Sequence, residues 1–315
     1  MVERRGTQQC LLNSELEALL VDFRGDGLTT GRAAVLGSPI SHSLSPVLHG
    51  AAYQSLGLTE WGFSREAVGG EGEPTLAQFL ATCAGADEAR APWRGFAVTM
   101  PLKEDALALA VAVTERARRL GAANTLVAVP GGWAADNTDT VGVREALREV
   151  GVESAPRVVV LGSGATARSA LGALSVLGAR HVTFAVRSSV RPESETLARE
   201  LDMEIETVSL GDADAVTEAI AQADASVSAL PHGTTLHLPE VTAGRLGSAV
   251  LLDVVYGGWP SPLASWASAG GATVLSGLPM LLHQAVEQVR LMTGRVPDVG
   301  AMRSALQAHT GPSGW

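Results

Sequence analysis

The chain has 315 residues, 46% apolar and 18% charged, with a formal net charge of −10. That length exceeds what one hydrophobic core usually fills, so two domains are expected, and the apolar fraction excludes a disordered chain. The acidic balance excludes a general nucleic-acid binder, and two cysteines, Cys10 and Cys83, are too few and too far apart for a disulfide framework or a metal cluster.

A reduced, cytoplasmic setting without a metal follows as the expectation. The first ten residues carry no apolar signal core, and no stretch approaches 18 uncharged apolar residues, so neither secretion nor membrane spanning is expected. Residues 1–31 read as a polar, appended extension in which no order is expected, with a short helix over Leu16–Val21 as the only candidate element. From Ala33 the chain alternates. A strand over Ala33–Leu36 ends at Gly37, and a helix begins near Ser45-Pro46, with Ser45 as its cap and Pro46 at its first position. A strand at Trp61–Phe63, a helix over Pro74–Cys83 and a buried strand over Phe96–Met100 follow, then a hairpin turn at Gly131-Gly132.

After a helix at Val141–Val150 the pattern restarts. Arg157–Leu161 is a strand, Ala165–Leu177 a helix and His181–Val186 a strand, with further strands at Ser226–Ala229, Ala249–Val255 and Thr273–Leu275. A last long helix, Pro279–Thr293, carries Leu282, Val286, Val289 and Met292 at spacings of three and four and is expected to cross back onto the first domain. Strand–helix alternation of this kind predicts α/β layers with largely parallel sheets.

Gly162-Ser163-Gly164-Ala165-Thr166-Ala167 follows a strand and opens a helix, the context a dinucleotide-binding turn needs. Gly162 permits the tight turn, Gly164 lets backbone amides approach a pyrophosphate, and Ala167 keeps the helix close to the sheet. An ordinary tight turn is the plain alternative. The next strand ends in Val186-Arg187-Ser188, where an NAD enzyme usually carries an acid that binds the ribose 2′-hydroxyl. Arg187 offers a planar cation suited to a 2′-phosphate, favouring NADP over NAD, although a solvated surface arginine would look the same.

At the end of the first strand Ser43 and Ser45 offer two hydroxyls at i and i+2 near a helix N-terminus, a pattern suited to a carboxylate; helix capping by Ser45 alone would explain half of it. His42 reads as structural. Lys103 follows the Phe96–Met100 strand, and a partly desolvated lysine held by a carboxylate can exchange a proton with a carbonyl oxygen. Asp136 is its natural partner. A merely exposed lysine opening a helix is the alternative, but the helix dipole disfavours a cation there. Asn124 and Gln284 are amide candidates for substrate hydroxyls, or else a turn residue and a helix-surface residue. Tyr256 could border the site or plug the sheet end.

These residues, in this order, resemble the shikimate dehydrogenase family, which reduces 3-dehydroshikimate with NADPH in aromatic amino-acid synthesis. The most specific motifs are Gly37-Ser-Pro-Ile-Ser-His-Ser-Leu-Ser-Pro46, Val98-Thr-Met-Pro-Leu-Lys-Glu104, Gly121-Ala-Ala-Asn-Thr-Leu126, Asp136-Asn-Thr-Asp139 and Gly277-Leu-Pro-Met-Leu-Leu-His-Gln284. The resemblance implies two α/β domains with a cleft between them: a substrate-binding domain of residues 32–136 plus 277–315 and a Rossmann-type, doubly wound NADP-binding domain of residues 137–276. It further implies that Lys103 and Asp136 form the catalytic pair, and that Ser43 and Ser45 hold the substrate carboxylate. Thr99, Asn124, Asp136 and Gln284 would then bind ring hydroxyls, with Tyr256 bordering the substrate. Arg187 and Ser188 would meet the 2′-phosphate, with Gly277 also on the cofactor side. A small-molecule substrate and a monomer or homodimer go with that reading. Ala97, Thr140, Ala185-Val186 and Ser228-Ala229-Leu230-Pro231 depart from the usual family residues, and Pro279 sits in the turn before the last helix. A quinate or aminoshikimate dehydrogenase is the nearest rival, and a catalytically silent NADP-sensing paralogue is the rival of a different class.

Overall fold

A computed structural model describes residues 8–12, 14–16, 30–83, 92–234 and 236–311. The chain forms two compact units, Met1–Thr138 with Ala285–His309, and Asp139–Gln284 with Thr310–Trp315. The boundary thus falls inside the helix Gly277–Thr293 rather than at residue 277.

The first unit is built on a seven-stranded sheet. Its strands are β1 (Gln9–Leu11), β2 (Thr30–Gly37), β3 (Glu60–Ala67), β4 (Trp93–Val98), β5 (Ala112–Thr114), β6 (Thr125–Val129) and β7 (Gly132–Asp136), in the order β1-β5-β7-β6-β4-β2-β3. Among the described residues, β6 alone runs antiparallel to its neighbours β4 and β7; the other pairs are parallel. β6 and β7 close through Pro130-Gly131, with Val129 paired to Gly132, so the turn lies one residue earlier than the sequence suggests. Ala34, Leu36, Phe96, Val98, Leu126 and Ala135 face one buried cluster, completed by Leu76 from the helix Leu76–Cys83 and by Leu102, the cap of the helix Lys103–Leu109.

The expectation for residues 1–31 needs correcting. Gln9–Leu11 adds an edge strand parallel to β5, and Leu11 and Leu16 are buried against Ala112, Val127, Val129, Ala134 and Leu291. Three residues are too short to print a period-2 pattern, so pairing and two apolar anchors set this order rather than propensity. The helix expected over Leu16–Val21 lies almost wholly outside the described residues.

The second unit carries six parallel strands: β8 (Arg157–Leu161), β9 (His181–Val186), β10 (Glu204–Ser209), β11 (Ala225–Ser228), β12 (Val250–Asp253) and β13 (Thr273–Leu275). Their order, β10-β9-β8-β11-β12-β13, is the doubly wound 3-2-1-4-5-6 arrangement, which reverses direction beside β8. β8 and β11 are buried along most of their length, as strands covered on both faces must be. The half of helix Gly277–Thr293 within this unit is tied down by His283 Nε2 to Glu149 Oε1 at 2.6 Å.

One buried polar chain in the first unit affects stability. In the helix Ser45–Ser55, His49 lies fully buried with its ring stacked on Phe63. Its Nδ1 meets Tyr53 Oη at 3.3 Å and its Nε2 meets Gln288 Oε1 at 3.3 Å. Burial pushes its pKa down to about 3. The unfolded chain, with an ordinary histidine, therefore binds the extra proton between roughly pH 6.5 and 3, so stability is lost as pH falls through that window. Urea unfolding of wild type at pH 5 is expected to give a stability about 2 kcal/mol lower than at pH 7 from this group. His49→Phe should flatten that difference, and an unchanged pH difference in the variant would assign the slope to other groups.

Candidate active site

In the first unit, the sheet topology gathers the sequence candidates at one edge. β2, β4, β5 and β7 all end there, and because β6 runs the other way, it begins there. That edge thus carries Ser43 and Ser45 after β2, Thr99 and Lys103 after β4, Thr114 and Arg116 at and after the end of β5, Asn124 before β6, and Asp136 at the end of β7. Residues spread over 94 positions of chain converge because parallel strands expose their C-terminal ends together.

Ser43 and Ser45 are buried, 6% and 4% exposed. Ser43 Oγ donates to Ser45 Oγ at 3.3 Å and accepts the Ser45 backbone N–H at 3.3 Å. Arg65 donates two bonds, 2.8 and 2.6 Å, to the Ser43 carbonyl, fixing the loop and bringing a guanidinium beside the hydroxyl pair. The helix is capped at Leu44 with no side-chain bond, so Ser45 is the first helical residue and not the cap. Its hydroxyl is not committed to capping.

β4 stops at Val98, two residues short of the expected end, and Thr99 continues the line with its N–H on the Leu36 carbonyl at 2.9 Å. This close pass explains Gly37, where a Cβ would lie 2.4 Å from Thr99 Cγ2. Lys103 opens the helix Lys103–Leu109, is half-buried, and its carbonyl accepts the Ala123 N–H at 2.8 Å. That bond pins the lysine to the segment leading into Asn124. Asn124 Oδ1 accepts from the Thr138 N–H at 2.7 Å and the Thr125 hydroxyl at 2.8 Å, while its Nδ2 donates to Thr138 Oγ1 at 3.0 Å. With its oxygen so occupied, the Asn124 amide is held in one orientation, its Nδ2 on the donor side. Gln288 Nε2 supports the same turn through Asn124 O at 3.1 Å and Thr125 Oγ1 at 3.2 Å.

Asp136 is 1% exposed and both of its carboxylate oxygens accept hydrogen bonds. Oδ1 accepts from Thr114 Oγ1 at 2.6 Å, Arg116 Nε at 3.1 Å and the Asn137 N–H at 2.7 Å. Oδ2 accepts from Arg116 Nη2 at 2.5 Å. Thr114, Arg116 and Gln288 were not singled out from the sequence. Arg116 carried a usable signal: it is a cation in the first turn of the helix Glu115–Leu120, against the dipole, the same mismatch that marked Lys103.

In the second unit the Gly-rich turn joins β8 to the helix Ala165–Val176. Gly162 has φ +98°, a left-handed conformation that requires glycine. Gly164 caps the helix with no side-chain bond, and a Cβ there would meet nothing within 4 Å. No side chain caps the start of this helix, which follows Ser163 and opens with Ala165 and Thr166, while Ala167 is fully buried. Ser163 ties this turn to the next one, its carbonyl accepting from Ser194 Oγ at 2.8 Å and its Oγ from the Arg191 N–H at 3.2 Å. Arg187 and Ser188, exposed just after β9, therefore stand at the same edge as the Gly-rich turn.

Tyr256, Gly277 and Gln284 belong to this second unit. Tyr256 is half-buried after β12, on a segment anchored by Asp253, whose Oδ2 accepts from Ser261 Oγ at 2.6 Å; burial pushes the Asp253 carboxyl up. A Cβ on Gly277 would lie 2.1 Å from the Val254 carbonyl oxygen, so strand-end packing alone demands glycine there. Gln284 is 6% exposed, with Nε2 on the Leu281 carbonyl at 2.9 Å, one turn ahead of Gln288 on the same helix. Pro279 is accommodated in the first turn of that helix, and Ala97 fills an apolar cluster with Val35 and Ile40.

Residues 35–126 match the model of the shikimate dehydrogenase substrate-binding domain, and residues 277–307 match that of the shikimate 5′-dehydrogenase C-terminal domain. The NADP(+) shikimate dehydrogenase of Thermus thermophilus is 34% identical over 284 residues, 89% of this chain and 99% of that protein. Its crystal structure with NADP(H) and shikimate aligns with a TM-score of 0.69 at 32% identity, over 88% of this chain and 98% of that one. The Mycobacterium tuberculosis shikimate dehydrogenase structure gives a TM-score of 0.74 at 39% identity, covering 88% and 99% of the two chains. A 5-ketofructose reductase of Gluconobacter sp. gives 0.71 at 25% identity, covering 90% and 100%. With the site motifs in the same order and near-complete coverage of its relatives, this chain belongs to the shikimate dehydrogenase family.

Proposed function

We propose that the protein is an NADP-dependent shikimate dehydrogenase, an oxidoreductase interconverting 3-dehydroshikimate and shikimate in aromatic amino-acid biosynthesis. The observation that carries this reading is the single sheet edge of the first unit. It brings a buried hydroxyl pair, a half-buried lysine, a donor-oriented asparagine and a buried aspartate into one neighbourhood. A carboxylated, hydroxylated ring presents complementary groups. Ser43 and Ser45 bind its carboxylate, with the Arg65 guanidinium adding a favourable field. Thr99, Asn124 and Asp136 read the ring.

NADPH supplies the hydride for the substrate carbonyl carbon and NADP+ takes it back in the reverse direction. The C=O electron pair moves onto oxygen, and Lys103 gives that oxygen its proton, leaving a neutral amine that regains a proton from solvent. Asp136 holds the lysine and a ring hydroxyl in register. Gly162, Ser163, Gly164, Ala165, Thr166 and Ala167 cradle the pyrophosphate, with Gly277 on the cofactor side. Arg187 and Ser188 bind the 2′-phosphate, and the uncapped, sterically open helix start fits such a group. A cytoplasmic monomer or homodimer belongs to the same reading.

The cofactor assignment has its own test. Arg187→Ala is expected to raise KM for NADP about 10-fold or more while leaving KM for NAD within about twofold, because only NADP offers a 2′-phosphate for charge-assisted bonds. Equal losses with both cofactors would mean that Arg187 supports the fold. On the substrate side, kcat/KM should be highest for shikimate among shikimate, quinate and aminoshikimate, and a higher value for either rival would reassign the ring preference.

A further inference from the structure

We propose that Arg116 is a positioning residue for the reaction: its guanidinium fork sets the carboxylate of Asp136, leaving Oδ2 as the oxygen that faces Lys103 and substrate. This rests on the reading of Lys103 and Asp136 as the catalytic pair. Asp136 Oδ1 receives three donors, from Thr114, Arg116 and the Asn137 backbone. Oδ2 receives the other arm of the same guanidinium. The two parallel N–H···O bonds fix the carboxylate plane as well as its position, which a lysine cannot do. The pair is shielded, with the arginine side chain 19% exposed and that of the aspartate 2%.

The fork is itself held. Thr114 caps the helix that carries Arg116, accepting the Ala117 N–H at 3.1 Å, and the same hydroxyl donates to Asp136. One threonine thus couples the helix start to the carboxylate. The helix Lys103–Leu109 packs against β7, which ends in Asp136, so any shift of that carboxylate is felt where the lysine emerges. A misplacement of about 1 Å in such a constellation can cost on the order of 10²-fold in rate.

The test is a double-mutant cycle on kcat, with shikimate affinity measured by direct titration of the protein without cofactor. Arg116→Ala should lower kcat about 10- to 100-fold, and Asp136→Ala about 100-fold or more. Arg116→Ala/Asp136→Ala should fall within about threefold of Asp136→Ala alone, because Arg116 acts through Asp136. Arg116→Lys, which keeps the charge but not the fork, should lie between Arg116→Ala and wild type. Shikimate affinity in the Arg116 variants should change less than kcat. Losses that multiply in the double variant, or an Arg116→Lys protein with wild-type kcat, would overturn the positioning role. If Arg116→Ala fails to unfold cooperatively, Arg116→Gln takes its place in the same cycle. A kcat surviving within a few-fold in Asp136→Ala would instead sink the catalytic pair itself, a distinguishable result.

Discussion

Lys103→Ala is expected to lower kcat for shikimate oxidation about 100-fold or more, with a smaller change in KM, the usual scale for loss of a general acid–base group. The expectation follows from its setting. Lys103 emerges half-buried from the sheet edge that also holds Asn124 and Asp136, and its own carbonyl is tied to Ala123. Truncation removes the ammonium without disturbing that backbone bond, so binding should persist while proton transfer fails. Lys103→Arg keeps the charge, but the guanidinium does not deprotonate, so it should be nearly as slow as Lys103→Ala. A kcat within a few-fold of wild type in either variant would give the proton to another group.

The second large effect concerns affinity. Replacing both Ser43 and Ser45 with Ala should weaken shikimate binding by a few kcal/mol, or about 100-fold in KM, since each hydroxyl bond to a charged group contributes roughly 1.5–3 kcal/mol. Their mutual bond and the Arg65 grip on the Ser43 carbonyl hold the hydroxyls buried and ready, so little ordering remains when the ligand arrives. kcat should fall less than kcat/KM. An unchanged affinity in a direct titration would move the carboxylate elsewhere.

Much of the fold was legible because the second unit is locally consistent: β8, β9 and the helix between them carry the apolar runs, glycines and lengths that such units require. β10 was not anticipated, because the apolar residues of Glu204-Ile-Glu-Thr-Val-Ser, Ile205 and Val208, lie three apart and give no period-2 signal. β1 left no periodic signal, because its order comes from pairing with another three-residue strand and from two buried leucines. In the candidate site, Lys103, Asp136 and the serine pair stand out in the sequence by residue type and position at strand ends, and the structure gathers them at one sheet edge. The carboxylate's holders do not stand out, because Arg116 and Asp136 lie 20 residues apart and are brought together by the β5–β7 pairing. His49 and Gln288, 239 residues apart, were hidden for the same reason, though a glutamine among Leu282, Val289 and Met292 on one helix was a sign of a buried polar contact.

Hydride transfer between the cofactor and the substrate carbonyl carbon is tested most directly by isotope. The wild-type protein would be incubated with 3-dehydroshikimate and NADPH deuterated at both C4 positions of the nicotinamide, and the product examined by mass spectrometry and proton NMR. One deuterium per molecule of shikimate is expected, at the reduced carbon only, with one NADP+ formed for each. Shikimate formed without deuterium, or no consumption of NADPH while 3-dehydroshikimate is present, would contradict the assignment.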